Sequence, residues 1–337
     1  AMSLIMYAMS ILIIWVGAYK VDAGLIGVGS LLALIQYTMH VIFSFLVLSM
    51  MSITLPRTIV SLKRIGEILD KDIVIKDKKE TKKFPKNKKG YIEFKNVSFR
   101  YPDAEENSLS KLNFIAEPGK TTAIIGSTGS GKSTLINLIP RFFDVTEGQI
   151  LIDGVDIRDV SQKDLREKIG LVPQKGVLFS GTIESNIKFG KNNLTKKDVE
   201  KASEIAQAKD FIIDREDGFN SPISQGGKNV SGGQKQRLAI ARAIAKKPEI
   251  YIFDDSFSAL DFKTDANLRK ALKKATEDAT IIIVTQRIST VLDADQIIVL
   301  DNGNVVGLGK HNDLMKKCDV YREIALSQLS EEELANE

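Results

Sequence analysis

Cysteine and histidine are almost absent from this sequence of 337 residues, which has one cysteine and two histidines. Cys318 therefore cannot close an internal disulfide, and no second cysteine lies at metal-ligand spacing from it. His40 and His311 are isolated as well. These absences exclude a disulfide scaffold and a zinc site built from cysteine and histidine.

Charge is missing from two long stretches, residues 1–19 and 23–56, which are separated only by a short segment containing Lys20 and Asp22. About twenty uncharged apolar residues can span a hydrocarbon core of roughly 30 Å as a helix. The sequence therefore predicts membrane helices at about 2–19 and 25–55. The alternative is a pair of buried soluble helices, which rarely extend so far without a charge. The first stretch lacks the basic start and cleavage site of a secretory signal.

Basic residues predict the orientation of these helices. Arg57, Lys63 and Arg64 follow the second stretch closely. Since cytoplasmic flanks carry an excess of lysine and arginine, we expect a multi-pass protein of the cell membrane whose chain is cytoplasmic from Arg57 onward. Apolar residues keep a helical period over 59–69, which predicts that the second helix extends past the bilayer.

The formal net charge of +4 is concentrated in one segment, because residues 71–90 hold nine lysines against three acidic residues. The segment lies between two strong patterns and favours a solvated linker that can meet anionic lipid headgroups. We expect no nucleic acid among the partners.

A glycine-rich segment at residues 126–134, Gly-Ser-Thr-Gly-Ser-Gly-Lys-Ser-Thr, fits G-x-x-x-x-G-K-[ST] without a mismatch. An apolar run precedes it and a helical stretch follows, which favours a nucleoside triphosphate site over a glycine-rich turn with a chance lysine. In such a site Lys132 reaches the β- and γ-phosphates and Ser133 contacts Mg²⁺. The candidate phosphate-binding residues are Gly126, Ser127, Thr128, Gly129, Ser130, Gly131, Lys132, Ser133 and Thr134.

Two further motifs support a nucleotide site. Residues 250–254, Ile-Tyr-Ile-Phe-Asp, predict a buried strand that ends in Asp254, a candidate Mg²⁺ ligand. Residues 230–237, Val-Ser-Gly-Gly-Gln-Lys-Gln-Arg, begin a helix, and small residues at a helix N-terminus form a second phosphate cradle. The residues of this second cradle are Ser231, Gly232, Gly233 and Gln234.

These motifs, in this order, resemble the ATP-binding cassette (ABC) family, whose signature is L-S-G-G-Q. The resemblance implies an α/β P-loop NTPase with a mixed or parallel sheet and a helical subdomain, preceded by all-α transmembrane helices. It implies that residues 1–70 are the last part of an exporter's transmembrane domain, 91–327 the nucleotide-binding domain and 328–337 an acidic tail. In the family two cassettes pack head to tail, and each ATP binds between one P-loop and the opposite signature.

Further residues take roles by the same resemblance. Tyr101 resembles the aromatic residue that stacks on adenine, Gln174 the Q-loop glutamine that meets Mg²⁺ and senses the membrane domain, and Asp261 the end of the D-loop that crosses between cassettes. The alternative for each is a surface residue at a chance spacing. Gln225, where many exporters have a glutamate, departs from the family pattern.

Two other departures concern catalysis. Hydrolysing cassettes usually have a glutamate general base after the strand aspartate, and this chain has Asp255. The family also places a histidine where this chain has Gln286, which cannot carry a positive charge. With Lys132 and Gln174, these are the candidate catalytic residues. We expect the site on this chain's own P-loop to bind ATP and hydrolyse it slowly, beside a partner subunit whose site is competent. A homodimer in which Asp255 still works stays an alternative.

The sequence thus predicts an ATP- and Mg²⁺-dependent subunit of an ABC exporter, with the lipid bilayer, a second half-transporter and a transported drug, lipid or peptide as partners. Since exporters of this type have six helices per half, we expect this sequence to be a piece without the first ones. Two other classes stay open: a soluble ABC ATPase of DNA repair or translation, and a regulatory or channel-type ABC protein.

Overall fold

The computed structural model describes residues 2–85, 87, 89–191 and 193–328, and the chain divides into two compact units, Ala1–Val74 and Ile75–Glu337. Two lysines of the expected linker, at 86 and 88, lie outside the described residues. So does the expected acidic tail, apart from Gln328.

The first unit consists of two helices, α1 (Met2–Asp22) and α2 (Val28–Leu69). Both are long and apolar enough to cross a membrane. The 42 residues of α2 extend about 63 Å at 1.5 Å per residue, and the helix continues through Pro56 to Leu69. No residue of α2 is buried. The core helix of a soluble protein would be covered, so the exposed apolar surface favours the membrane interpretation.

Several side-chain hydroxyls of α2 donate to backbone carbonyls of the same helix. The hydroxyls of Thr38, Ser44 and Thr58 donate to the carbonyl oxygen four residues earlier, at 2.8, 2.8 and 3.0 Å. In a hydrocarbon environment each unpaired polar group costs several kcal/mol, so this internal pairing suits a membrane helix. Gly17 allows α1 and α2 to approach, because a Cβ there would lie 2.2 Å from a methyl carbon of Leu31.

The second unit contains a six-stranded sheet and a four-stranded sheet. The larger has the order β12-β11-β3-β10-β9-β6, parallel except for β12, and the smaller has the antiparallel order β2-β1-β4-β5. The strands are β1 (Ile92–Phe99), β2 (Leu109–Ala116), β3 (Thr121–Ile125), β4 (Glu147–Ile152), β5 (Val155–Asp156), β6 (Ile169–Val172), β7 (Gly181–Thr182), β8 (Pro222–Ile223), β9 (Ile250–Asp254), β10 (Thr280–Val284), β11 (Gln296–Asp301) and β12 (Asn304–Gly309).

Helices cover the larger sheet, and a group of them, α5 to α8, packs beyond its β6 edge. The helices are α3 (Lys132–Leu138), α4 (Gln162–Glu167), α5 (Ile183–Ile187), α6 (Lys196–Ile205), α7 (Lys209–Ile213), α8 (Gly232–Lys246), α9 (Phe262–Ala275), α10 (His311–Lys317) and α11 (Asp319–Leu326). The expected α/β fold, a mixed sheet with a helical part, is confirmed.

The central strands are buried on both faces, which explains their continuous apolar runs. Along β10, Ile281 and Ile283 join a cluster under the helical group, whereas Ile282 and Val284 join the cluster between the two sheets. Alternate residues of a strand point to opposite faces, so one five-residue run fills two cores. These rigid strands hold the loops that follow them.

The lysine-rich segment is not a solvated linker throughout. From residue 75 it belongs to the second unit, where Lys78 and Lys82 pair with Asp159 and Lys83 pairs with Asp164 at 2.9 Å. Phe84 packs against the core between the sheets. The composition suggested solvation because the acidic partners lie some eighty residues away in the sequence.

Asp159 is the centre of this attachment. Hydrogen bonds from Lys78 and then Lys82 lower the pKa of its carboxyl to about 2, so the carboxylate stays charged, and the attachment persists, until the pH falls to that value. The pairs are exposed, and water and salt screen exposed ion pairs, so each contributes little to stability.

Replacing Asp159 by asparagine should loosen the lysine-rich segment without unfolding the second unit. We expect trypsin to cleave after residues 78–83 about 2–5 times faster, in keeping with the small energy of exposed ion pairs. Added salt should accelerate cleavage of the unmodified protein in the same way. Asp214→Asn, at an exposed aspartate outside this attachment, is the control. Equal cleavage of both variants would show that Asp159 does not hold the segment.

Candidate nucleotide site

Four of the loops identified in the sequence begin at one edge of the larger sheet. β3, β10, β9 and β6 are mutually parallel neighbours, so their carboxyl ends lie along the same edge. Gly126 follows β3 directly, Asp255 follows β9 directly, and Gln174 and Gln286 come two residues after β6 and β10. Crevices outside the carboxyl ends of such strands are where ligands bind in open α/β sheets.

The loop after β3 needs glycine at defined positions. A Cβ on Gly126 would lie 2.2 Å from the Leu300 carbonyl oxygen and 2.6 Å from the Ser130 hydroxyl oxygen. Gly131 caps the N-terminus of α3 with φ of +99°, where other residues are strained. Ser127, which begins the stretch between them, is exposed. The loop therefore turns tightly against the sheet and leaves its outer backbone open to a ligand.

Lys132, the first residue of α3, folds back over this loop. Its ammonium donates to the carbonyl oxygens of Gly126 at 2.8 Å and Ser127 at 2.6 Å. Burial lowers the pKa of Lys132, and the nearby carboxylates of Asp255 and Asp254 oppose that shift. The lysine is thus held at the centre of the loop, where phosphate oxygens can replace the carbonyl oxygens as its partners.

Tyr101 lies beside the first turn of α3, because its hydroxyl is 3.2 Å from the Thr134 hydroxyl oxygen. Its ring packs edge-on against Phe99 and Phe143, with centroids 4.8 and 5.4 Å away. The side chain is half-buried, so part of the ring stays accessible.

Asp254 and Asp255 lie at the end of β9, close enough to affect each other. Burial raises the pKa of the Asp254 carboxyl, the negative charge of Asp255 adds to that rise, and Lys132 opposes it. Asp255 adopts the left-handed conformation, with φ of +43°, and its N–H donates to the Val284 carbonyl at 2.8 Å. Aspartate tolerates this conformation better than most residues do.

Gln174 and Asp255 are in direct contact, since the Gln174 amide donates to the Asp255 carboxylate at 3.3 Å. Gln236 of α8 fixes the backbone on both sides of Gln174. Its amide nitrogen donates to the Pro173 carbonyl at 3.0 Å and its amide oxygen accepts from the Gly176 N–H at 2.8 Å. The sequence analysis did not identify Gln236 as part of the site, although Gln236 lies in the helix predicted to begin at the second glycine-rich segment.

Gln286 is exposed and follows the buried Thr285 at the end of β10. The next residue, Arg287, donates to the Ser258 carbonyl at 3.1 Å, which joins this loop to the segment before α9. Asp261 caps α9 by accepting from the Thr264 N–H at 3.0 Å, and that bond lowers the pKa of its carboxyl.

The second glycine-rich segment begins α8 and faces outward. Ser231 caps the helix by accepting from the Gln234 N–H at 3.2 Å, and the Gln234 side chain accepts from the Ser231 N–H at 3.0 Å. A Cβ on Gly232 would have no neighbour within 4 Å in the described part of the chain beyond its own helix turn, whereas one on Gly233 would lie 3.3 Å from the Ala259 carbonyl oxygen. This chain's own packing therefore does not require glycine at 232.

The two glycine-rich segments begin different helices of the second unit. The segment after β3 begins α3, and the other begins α8, which packs against β6, the third strand along the sheet from β3.

Comparison with known proteins identifies this arrangement. Residues 109–258 match the protein-family model described as ABC transporter. An uncharacterized ABC transporter ATP-binding protein of Mycobacterium tuberculosis is 44% identical over 325 residues, which are 95% of this chain and 55% of that protein. The structure also matches a bacterial Atm1-family ABC exporter with ATP bound, at a TM-score of 0.77 and 33% identity, over 98% of this chain and 57% of that chain. The chain belongs to the ABC transporter family.

This chain also resembles a Staphylococcus aureus protein whose provisional name is multidrug export ATP-binding/permease protein. It is 41% identical over 93% of this chain and 54% of its own length. The chain therefore spans about half the length of the curated relatives it matches.

An ABC transporter domain uses ATP, and the donors present at this site fit a magnesium ion that accompanies it. Among the described residues no three acidic, histidine or cysteine side chains cluster as a metal cage. Mg²⁺ usually takes one or two protein ligands and completes its shell with phosphates and water. Ser133, Gln174 and Asp254 offer oxygens of that kind. Asp254 is half-buried, and burial raises the pKa of its carboxyl, so a cation beside it would stabilise the charged form.

Three residues that the sequence analysis named individually, Cys318, His311 and Gln225, lie outside the candidate nucleotide site. Cys318 is buried against Leu314 and Tyr321, and His311 lies 2.8 Å from the Tyr321 hydroxyl oxygen. Gln225 is exposed in a short 3₁₀ turn before α8.

Replacing Gly126 by alanine should damage the candidate site, because the added methyl group overlaps the Leu300 carbonyl and Ser130. We expect a loss of about 1–3 kcal/mol in the free energy of unfolding of the second unit, the usual effect of overpacking, and loss of MgATP binding. Gly232→Ala is the matched control. Its methyl group meets nothing, so thermal unfolding should be unchanged. Thermal unfolding and titration with a fluorescent ATP analogue measure both; equal stability of the two variants would contradict the structural account.

Proposed function

We propose that this chain is the ATP-binding and ATP-hydrolysing subunit of an ABC exporter, located in the cell membrane with its nucleotide-binding unit in the cytoplasm. Binding of ATP between two cassettes would close them, and hydrolysis would reopen them. ATP favours the closed state because only there does it contact both cassettes. The observation that carries the proposal is the convergence of the loops after β3, β6, β9 and β10 at one edge of the sheet.

Five of the predicted site residues take direct roles in this proposal. Lys132 exchanges its two carbonyl partners for the β- and γ-phosphates, and the N-terminus of α3 adds favourable dipole charge. Ser133 and Asp254 hold Mg²⁺, with Gln174 completing that side. Tyr101 presents its ring to the adenine base.

A second cassette is supported by the open face at Gly232. Among the described residues, no atom lies within 4 Å of a Cβ placed on Gly232 at the start of α8, apart from its chain neighbours and its own helix backbone. A phosphate presented by another subunit can approach there, since a helix N-terminus favours an anion. The partner we propose is therefore a second ABC half-transporter whose nucleotide completes this surface.

The site on this chain's own P-loop is proposed to hydrolyse ATP slowly. A general base must come within about 2.6–3.2 Å of the water it activates. Asp255 is shorter than glutamate by one C–C bond, about 1.5 Å, and its carboxylate already accepts from Gln174. Misplacement on that scale can cost about a hundredfold in rate. Gln286 supplies a neutral amide where a histidine could supply charge.

The partner proposed is accordingly a different subunit with its own glutamate and histidine, which would make a heterodimer. Export of a drug, a lipid or a peptide is proposed for the whole assembly, and the names of some relatives favour drugs.

Combining Asp255→Glu with Gln286→His should raise the ATPase rate of the purified chain by between about 10-fold and 100-fold, because a longer carboxylate can reach the water. Part of the gain will be offset, since glutamate is more strained than aspartate in the left-handed conformation of residue 255.

Phosphate release in detergent measures the rate. Adding Lys132→Ala to the double variant is the control, and it should abolish the gain if the activity belongs to this chain's own P-loop. An unchanged rate in the double variant, with MgATP binding intact, would count against an impaired site and favour a homodimer in which Asp255 works.

A further inference from the structure

Gln328, immediately after α11, contacts the loop that contains Gln286. We call residues 285–290, between β10 and the end of the following 3₁₀ turn, the switch loop. The amide nitrogen of Gln328 donates to the Gln286 carbonyl at 2.7 Å, and its amide oxygen accepts from the Ile288 N–H at 3.0 Å. One side chain thus binds the backbone on both sides of Arg287.

The chemistry of this contact is specific to a carboxamide. Gln286 offers an acceptor and Ile288 a donor, and only the side chains of asparagine and glutamine present a complementary donor and acceptor on one rigid group. The two bonds require the same orientation of the Gln328 amide. If the amide were turned around, its oxygen would face the Gln286 carbonyl oxygen and its NH₂ group would face the Ile288 N–H. The Gln328 carboxamide therefore pairs with backbone groups of the loop as a neighbouring β-strand would.

Two other contacts restrain the switch loop from different directions. Arg269 of α9 donates to the Ser289 carbonyl at 3.0 Å, and Arg287 donates to the Ser258 carbonyl at 3.1 Å. The Ile288 side chain is buried in the same cluster as Tyr321 and Ala325 of α11. These contacts fix the later part of the loop, and Gln328 alone among the described residues hydrogen-bonds to the Gln286 carbonyl.

We propose that Gln328 is a positioning residue that sets where the Gln286 side chain lies relative to the γ-phosphate of bound ATP. The proposal rests on the proposed function for the role of the nucleotide, but the restraint on the loop is a property of the chain. It makes the segment after α11 part of the nucleotide site, although no sequence motif marks Gln328.

The experiment compares Gln328→Ala and Gln328→Glu with Ser327→Ala in the full chain. Glutamate has the same shape as glutamine and can accept from the Ile288 N–H, but its carboxylate cannot donate to the Gln286 carbonyl. The Ser327 hydroxyl donates to the Ile324 carbonyl of α11, so its variant controls for changes at the end of this helix.

Amide hydrogen exchange over residues 285–290 is the first readout. We expect exchange to be about tenfold faster in Gln328→Ala, since an N–H that loses its partner opens more readily, and unchanged in Ser327→Ala. ATP turnover is the second readout. In both Gln328 variants kcat should fall by between about 5-fold and 100-fold while KM for ATP stays within about twofold, because the P-loop is untouched.

Unchanged exchange in Gln328→Ala would overturn the proposal, and so would a Gln328→Glu variant that turns over ATP as fast as the unmodified chain. If the unmodified chain does not bind MgATP, the proposed function fails. The exchange result still decides whether Gln328 holds the loop, because it needs no turnover.

Discussion

The parallel pairing of β3, β10, β9 and β6 is the constraint on which the rest of the second unit depends. Because the strands are parallel and in register, they all end at the same edge of the sheet, and each is followed by a different loop. Lys132 follows the loop after β3, Gln174 lies in the loop after β6, Asp254 ends β9 and is followed by Asp255, and Gln286 lies in the loop after β10. Apart from the adjacent Asp254 and Asp255, these residues are far apart in the sequence, and Gln174 and Asp255 nonetheless come within hydrogen-bonding distance. The buried runs of isoleucine and valine that stabilise the sheet therefore also assemble the site.

Loops at a sheet edge need restraint if their side chains are to meet a ligand in one geometry, and two glutamines provide it. Gln236 binds the backbone around Gln174, and Gln328 binds the backbone around Arg287. In each case one carboxamide satisfies a carbonyl and an N–H that the sheet no longer pairs. Since α8 begins at Ser231 and carries Gln236, one helix connects the proposed second phosphate cradle to the loop of Gln174.

The sequence predicted the elements whose signals are local. The P-loop lies between a strand and a helix, Asp254 ends a buried strand, Ser231 caps a helix, and two long apolar helices precede the cassette. Contacts between distant residues could not be predicted. The left-handed backbone of Asp255, the docking of the lysine-rich segment on Asp159 and the Gln328 contact each depend on residues brought together only by the fold. The composition of the lysine-rich segment suggested a solvated linker, because composition does not reveal which distant acidic residues its lysines contact.

The central claim is that this chain's own site holds ATP better than it cleaves it. The most direct test is to incubate the purified full chain with radiolabelled MgATP, remove free nucleotide rapidly, and determine whether the retained nucleotide is ATP or ADP. We predict that intact ATP remains bound over many minutes, with ADP appearing slowly. Retention of ADP alone within the first seconds, with continuing release of phosphate, would contradict the account.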